Sequence, residues 1–272
     1  MKSHGRNAGW EAVKWWQHVL FTGCLATFGS MLSPSPVRAN DYFEVGAGAD
    51  YSVGDYGDVE DTEILFLTAS AKLMTGGWTL RASLPYIHVK GPGNIIPSEE
   101  GVIPGITRTP VVSRQGMGDI AFVAEHTFRL GDRTFVDLIG RIKLPTASAA
   151  KGLGTGTTSV TASAELTRVI GPVILTARAG RRFNGSSEAF RQRDVWEASS
   201  GVIYVDGGTS VGLFYDWRAK VRRTSAPRSE MTAFITRKLS PKLQLQGYVT
   251  VGLTNGSPDR GGGLVLVNRF SL

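Results

Sequence analysis

The sequence predicts an all-β fold, a transmembrane antiparallel β-barrel of about twelve strands with short periplasmic turns and longer outer loops. Three observations carry this prediction. Apolar and polar residues alternate in segments of about ten to thirteen residues, which is the period of strands and not of helices. No stretch after residue 40 is apolar for long enough to form a spanning helix. Finally, short turns and longer loops alternate along the chain.

Residues 1–39 are predicted to be a Sec-type signal peptide that is removed, which leaves 40–272 as the barrel. The segment starts with basic residues, continues with an apolar stretch over 15–32, and ends in Val37-Arg38-Ala39 with small residues at both cleavage positions. A membrane anchor is the alternative, but polar residues interrupt the apolar stretch. A lipid anchor at Cys24 is a second alternative, and the residues before this cysteine disfavour it.

The composition excludes several classes of function. The chain has 34 glycines and only 19% charged residues, as expected for many strands and turns. Removal of the signal peptide takes away four basic and one acidic residue and leaves 26 Lys and Arg against 22 Asp and Glu. This small excess, without a basic run, does not indicate nucleic-acid binding. The remaining chain has no cysteine and only His88 and His126, so no cofactor or metal site is expected.

The alternating segments, in chain order, are the predicted strands. They are 42–54, 62–74, 78–90, 116–129, 133–145, 157–169, 173–183, 193–205, 209–220, 228–238, 242–254 and 261–271. In the clearest of them, Leu243, Leu245 and Val249 share one face while polar residues occupy most of the other. Short turns are predicted at 75–77, 131–132, 171–172, 206–208 and 240–241. Longer loops are predicted at 55–61, 91–115, 146–156, 184–192, 221–227 and 255–260.

Aromatic residues gather near strand ends and predict two girdles at the lipid headgroups. The short-turn girdle comprises Tyr42, Phe43, Trp78, Phe128, Phe135, Tyr204 and Phe270, and the long-loop girdle comprises Tyr86, Phe183, Trp196 and Trp217. The last strand places Leu264, Leu266, Phe270 and Leu272 on one face, which is similar to the terminal signal of outer-membrane proteins. We therefore expect outer-membrane lipids and the outer-membrane assembly machinery as partners.

If the apolar face meets lipid, residues of the other parity line the lumen. The main candidates are Asp137, Arg141, Lys143, Glu165, Arg178, Arg182, Glu197, Asp216 and Arg218. The same parity places inside Glu44, Asp50, Lys72, Arg81, Glu125, Arg129, Lys220, Glu230 and Lys238. Two interpretations stay open: opposite charges brace the wall as pairs, or they form a constriction that filters solutes. The apolar loop 91–115 is either a plug in the mouth, an apolar entrance or a surface loop.

Several motifs resemble one family. They are Gly116-Met117-Gly118-Asp119, Lys143-Leu144-Pro145-Thr146 followed by Gly152-Leu153-Gly154-Thr155-Gly156, Gly180-Arg181-Arg182-Phe183, Gly256-Ser257-Pro258-Asp259 and the closing Arg269-Phe270. The chain over 44–272 thus resembles the outer-membrane family named for the MetA pathway of phenol degradation, a set of proteins described as transporters. The resemblance implies passage of small, hydrophobic or aromatic compounds, and it implies no catalytic residues. Arg181 departs from the Tyr expected in the third motif.

These observations predict a channel or transporter in the bacterial outer membrane that passes a small-molecule solute and is not an enzyme. A structural or adhesion barrel without flux is one alternative. An outer-membrane lipid hydrolase is another, but it needs a base beside a nucleophile. His88 and His126 are followed two residues later by Lys90 and Phe128, so neither belongs to a His-x-Ser arrangement.

Overall fold

The computed structural model describes residues 41–98, 103–104, 110–186 and 191–272, so the predicted signal peptide lies outside the described residues. The strands are β1 (Tyr42–Gly54), β2 (Thr62–Thr75), β3 (Trp78–Pro92), β4 (Ile95–Ile96), β5 (Ile103–Pro104), β6 (Val111–Met117), β7 (Ala121–Gly131), β8 (Thr134–Lys143), β9 (Ser159–Ile170), β10 (Val173–Asn184), β11 (Val195–Asp206), β12 (Thr209–Arg218), β13 (Arg228–Lys238), β14 (Leu243–Gly252) and β15 (Arg260–Ser271). Within these ranges, no helix has the length and apolar character needed to cross a membrane.

The strands close into one antiparallel barrel of twelve strand positions, and this confirms the predicted fold class. Each barrel strand pairs with its neighbour in chain order, and β15 pairs with β1 from Tyr42 opposite Ser271 to Val53 opposite Arg260. β6 and β7 share one position because both pair with β3. Where the sheet is closed it has no edge, so the backbone groups pair within the sheet, as a lipid environment requires. β6 pairs with β3 alone, and β4 and β5 form a separate two-stranded sheet.

The fourth predicted strand, 116–129, is not continuous. Met117 lies opposite Tyr86 and Ala121 lies opposite Ser83, so three residues of one strand face two of β3. This β-bulge adds one residue and reverses which parity faces inward. The bulge contains Asp119, and it carries this side chain to a buried position. The period-two pattern alone could not reveal it, because alternation resumes on both sides of the bulge.

The two faces of the wall differ as a bilayer-spanning barrel requires. On β14 the outward Val249 is 61% exposed, whereas the inward Thr250 is 2% exposed. Trp78, Tyr204 and most other outward aromatics are exposed near strand ends, and the outward Phe43 is half-buried. Two residues assigned to the short-turn girdle are the exceptions. These are Tyr42 and Phe135, which are buried because they point inward.

Aromatic rings fill much of the inner space beside β11–β15 by covering glycines on neighbouring strands. Phe214 lies opposite Gly201, and a Cβ atom on this glycine would be 2.0 Å from the ring. Phe234 covers Gly212 in the same way at 2.3 Å, and the two rings stack with centroids 5.7 Å apart. The glycines are therefore needed for space, because any larger residue would displace a ring.

We expect Gly212→Ala to destabilise the barrel by about 1–3 kcal/mol, because the added methyl group overpacks the inner face against Phe234. The measurement is the urea midpoint for unfolding from lipid vesicles, followed by tryptophan fluorescence. Gly131→Ala is the matched control, since a Cβ atom there meets nothing within 4 Å. Equal urea midpoints for the two variants would contradict the close packing of Phe234 over Gly212.

Candidate functional site

The structure places the nine main lumen candidates on the inner face of the barrel. Eight of them are buried, and Arg141 is half-buried. Among the wider set, Arg129 and Lys220 are exposed at the two rims, while the remaining side chains are buried or half-buried. Inward parity therefore coincides with burial within the strands but not at their ends, where the wall stops.

Ion pairs join the inward charges of neighbouring strands. Arg178 Nη2 lies 2.6 Å from Glu165 Oε2 between β10 and β9, and Arg182 Nη2 lies 2.8 Å from Glu197 Oε2 between β10 and β11. Each of these charges needs a partner of opposite sign, because burial has removed most of its hydrating water. Neither partner is near the other in sequence, so only the strand register brings them together.

A second set of pairs lies nearer the short-turn end. Arg81 Nη2 is 2.8 Å from Glu125 Oε2, and Glu44 accepts from Arg269 at 2.8 Å and from Lys72. Together with the buried Arg218 and Asp137, the two sets form what we call the inner charge row. Its members are Arg218, Glu197, Arg182, Arg178, Glu165, Asp137, Glu125, Arg81, Lys72, Glu44 and Arg269. The row descends obliquely from the long-loop ends of β10–β12 to the short-turn ends of β1, β2 and β15.

The centre of the inner charge row is acidic. Asp137 is fully buried and accepts a hydrogen bond from Thr127 Oγ1 at 2.5 Å. Glu125 and Glu165 are both near enough to act electrostatically on this carboxylate. Among the described residues, Asp137 forms no ion pair of its own, although Arg178 also acts on it. On each side of this acidic centre the row is mainly basic, with Glu197 above and Glu44 below as the acidic members.

The upper end of the row opens into a small cavity of about 10 Å³ at the long-loop mouth, which we call the mouth cavity. Three basic side chains line it: Lys143, Arg182 and Arg218. Hydroxyl and amide side chains complete much of the lining, at Ser98, Thr155, Thr157, Ser159, Asn184 and Gln192. The lining is therefore rich in hydrogen-bond donors, which is the chemistry that suits an anionic or hydroxylated molecule.

Asp119 organises one side of the mouth cavity. Lys143 Nζ donates to Asp119 Oδ2 at 2.5 Å and to the carbonyl oxygen of Thr157 at 3.1 Å. The backbone N–H of Ala147 donates to the other carboxylate oxygen at 2.9 Å. Gly154 packs here without a side chain, since a Cβ atom would lie 2.8 Å from Ala147. The Gly-Met-Gly-Asp and Lys-Leu-Pro-Thr motifs thus meet in one network that sequence spacing did not reveal.

Part of the long loop 91–115 lies inside the mouth. Ile95 and Ile96 are buried, and Ile95 packs in one cluster with the inward residues of β2 and β3, which are Ile64, Phe66, Ile87 and Val89. We call Ile95 and Ile96 the outer plug. Of the three interpretations of this loop, the placement favours a plug, because a surface loop would leave these two side chains exposed.

Arg114 holds the outer plug in place. Its guanidinium donates to the carbonyl oxygens of Pro92, Gly93, Ile95 and Gly152 at 2.8–3.3 Å. Three of these carbonyls belong to the loop that carries the plug, and the fourth belongs to the loop after β8. A side chain at Gly152 would collide with Arg114, with a Cβ atom 2.4 Å from Nη1. One arginine therefore joins two loops across the mouth.

The outer face contains a contact that sequence reasoning missed. His88 Nε2 and Ser113 Oγ lie 3.0 Å apart on the exposed side of β3 and β6. This pair does not form a His-x-Ser pattern in the sequence, because the serine is on the neighbouring strand. Within the described part of the chain, no carboxylate bonds to His88, so the third member of a hydrolytic triad is not provided.

Comparisons with known proteins address the fold. No family model and no curated protein matches the sequence. The chain is similar to the NanC porin, at 11% identity over 84% of this chain and 100% of that chain, with a TM-score of 0.52. It is also similar to the translocator domain of the autotransporter NalP from Neisseria meningitidis, at 10% identity over 85% of this chain and 89% of that chain, with a TM-score of 0.51. At such identities the likeness establishes a shared barrel fold, and the resemblance to the MetA-pathway family stays a prediction.

Proposed function

We propose that the protein is an outer-membrane channel that takes small anionic solutes at the mouth cavity and passes them along the inner charge row. One observation carries the proposal: a continuous row of charged side chains leads from a basic cavity at one end of a lipid-facing barrel to the opposite end. Burial of charged side chains costs desolvation free energy. A core with a purely structural role would be at least as stable with apolar side chains in their place.

The mouth cavity supports a polar solute more than the hydrophobic or aromatic one that the family resemblance implies. Lys143, Arg182 and Arg218 all contribute to the lining, and Asp119 is the acidic side chain among the lining residues. A carboxylate or phosphate group would gain charge-assisted hydrogen bonds from these donors. In the conformation described here the cavity measures about 10 Å³, which is room for about one water molecule, so a solute enters only when the mouth widens.

A barrel without flux is the second candidate, and the filled interior favours it. Inward side chains such as Thr167, Glu125 and Ile203 have 0–2% of their surface exposed. In a wide aqueous pore these residues would be in contact with water. For a channel, this burial means that the conformation described here is closed, and that passage requires the outer plug and some ion pairs to move.

Planar-bilayer recording tests the proposal. The purified protein is expected to conduct in steps, and a KCl gradient should give a reversal potential of the anion-selective sign. Arg218→Gln should move the reversal potential towards cation selectivity, because it removes one of three positive charges from the mouth cavity. Arg237→Gln is the control, since this arginine is exposed on the outer face and bonds to Thr209.

The outcomes separate the candidates. Stepwise current with an unchanged reversal potential in Arg218→Gln would refute the anion site while keeping a channel. Complete absence of current, including in protein with the plug released, would favour the barrel without flux.

A further inference from the structure

The outer face of the barrel carries one arginine between two aromatic rings near the long-loop end. Arg181 of β10 lies directly opposite Trp196 of β11, and Phe183 follows on the same face. The guanidinium carbon is 5.5 Å from the ring centroid of Phe183 and 5.6 Å from that of Trp196. All three side chains are exposed on the surface that faces lipid. The rings therefore hold the guanidinium by cation–π contacts at the aromatic girdle.

This position suits a charge at the membrane boundary and not within the hydrocarbon. Arg181 lies three residues before Asn184, where β10 ends at the long-loop rim. Asp194 is the acidic neighbour, but its Oδ2 atom is 3.9 Å from Arg181 Nη2 and both side chains are exposed. Asp194 Oδ1 also accepts the backbone N–H of Asn184. A long, solvated pair of this kind contributes little, so it leaves the guanidinium available to another anion.

We propose that Arg181, Phe183 and Trp196 form a binding site for a phosphate group of a phosphorylated glycolipid in the outer leaflet. The planar guanidinium can donate two parallel hydrogen bonds to phosphate oxygens, and the rings fix its orientation at headgroup depth. Phe183 and Trp196 would contact the upper acyl chains or the sugar face of the same lipid. This site is independent of the proposed flux, because it lies on the opposite face of the wall from the inner charge row.

Two other outward arginines provide an internal comparison. Arg168 and Arg237 lie at the short-turn end, on the leaflet opposite to Arg181. Each donates to a threonine of the adjacent strand, at Thr134 and Thr209 respectively. Among the described residues, neither arginine makes a ring contact of the kind that Arg181 makes with Phe183 and Trp196. Arg168→Gln therefore removes an outward charge without touching the proposed site.

Native mass spectrometry of the full chain in detergent micelles tests the site. The probes are bisphosphorylated lipid A, the same lipid after phosphate removal, and phosphatidylglycerol. We expect wild type to retain bisphosphorylated lipid A, and Arg181→Gln to retain it about tenfold less well. Arg168→Gln should match wild type, Arg181→Lys should be intermediate, and the dephosphorylated lipid should bind weakly to all variants.

Three results would overturn the proposal. The first is equal retention of lipid A by Arg181→Gln and wild type. The second is a loss in Arg168→Gln equal to that in Arg181→Gln, and the third is phosphatidylglycerol binding as strong as that of lipid A. Either of the last two would show general attraction to anionic lipid. Trp196→Leu is a second variant that tests the site if Arg181→Gln misfolds, because it leaves every charge in place. We expect it to weaken lipid A retention severalfold, because one cation–π contact is lost.

Discussion

Asp119→Ala is expected to destabilise the folded barrel by about 3–5 kcal/mol, because it leaves the Lys143 ammonium buried without its counter-charge. The substitution also removes the acceptor for the backbone N–H of Ala147, so the loop after β8 loses its attachment to the wall. Urea unfolding from lipid vesicles, followed by tryptophan fluorescence, measures the change.

Two further variants show whether burial causes this effect. Asp132→Ala breaks an ion pair with Arg129 in which the aspartate side chain is 91% exposed, and we expect little change in stability. Asp119→Leu combined with Lys143→Met removes both charges and should recover part of the loss, because an apolar pair needs no counter-charge. If Asp119→Ala unfolds at the same urea concentration as Asp132→Ala, the central role of Asp119 is wrong.

Arg114→Ala should raise the single-channel conductance or the open probability severalfold. The variant removes the hydrogen bonds that connect the plug loop with Gly152, so Ile95 and Ile96 lose the contact that keeps them in the mouth. Ile95→Asp should act in the same direction, because a buried carboxylate among Ile64, Phe66 and Val89 is unfavourable. Planar-bilayer recording under a fixed potential provides the measurement.

Lys90→Ala is the matched control for the plug variants. Lys90 lies on the same hairpin but faces outward, and it forms an exposed pair with Glu63 at 3.5 Å. We expect its conductance to equal that of wild type. If Arg114→Ala and Ile95→Asp have the same conductance and open probability as Lys90→Ala, the loop does not control passage.

The barrel could be predicted from sequence because one local rule determines most of it. Lipid on one side and polar partners on the other impose alternation on every strand, as in Leu243, Leu245 and Val249. The same rule located Glu165, Arg178 and the other interior charges, since parity within a strand determines the face.

Features that depend on contacts between strands or on a change of parity could not be predicted in this way. The bulge at Asp119 adds one residue where no pattern marks it. Phe135 looks like a girdle aromatic until the register shows that it points inward. The partners Arg182 and Glu197, and likewise His88 and Ser113, meet only through strand pairing. Sequence motifs did mark Asp119 and Lys143, but they did not show that the two side chains bond to each other.

The inner side of the outer half of the β2–β3 wall is apolar, with Ile64, Phe66, Ile87 and Val89 on it. This inner side would present an apolar surface to water if it were uncovered. The loop that carries Ile95 and Ile96 is therefore part of the hydrophobic core, and it cannot be exchanged as an independent appendage. An engineered loop that replaces this one to change solute selectivity must also contain two apolar side chains that cover the inner surface. Otherwise the uncovered apolar surface will promote aggregation.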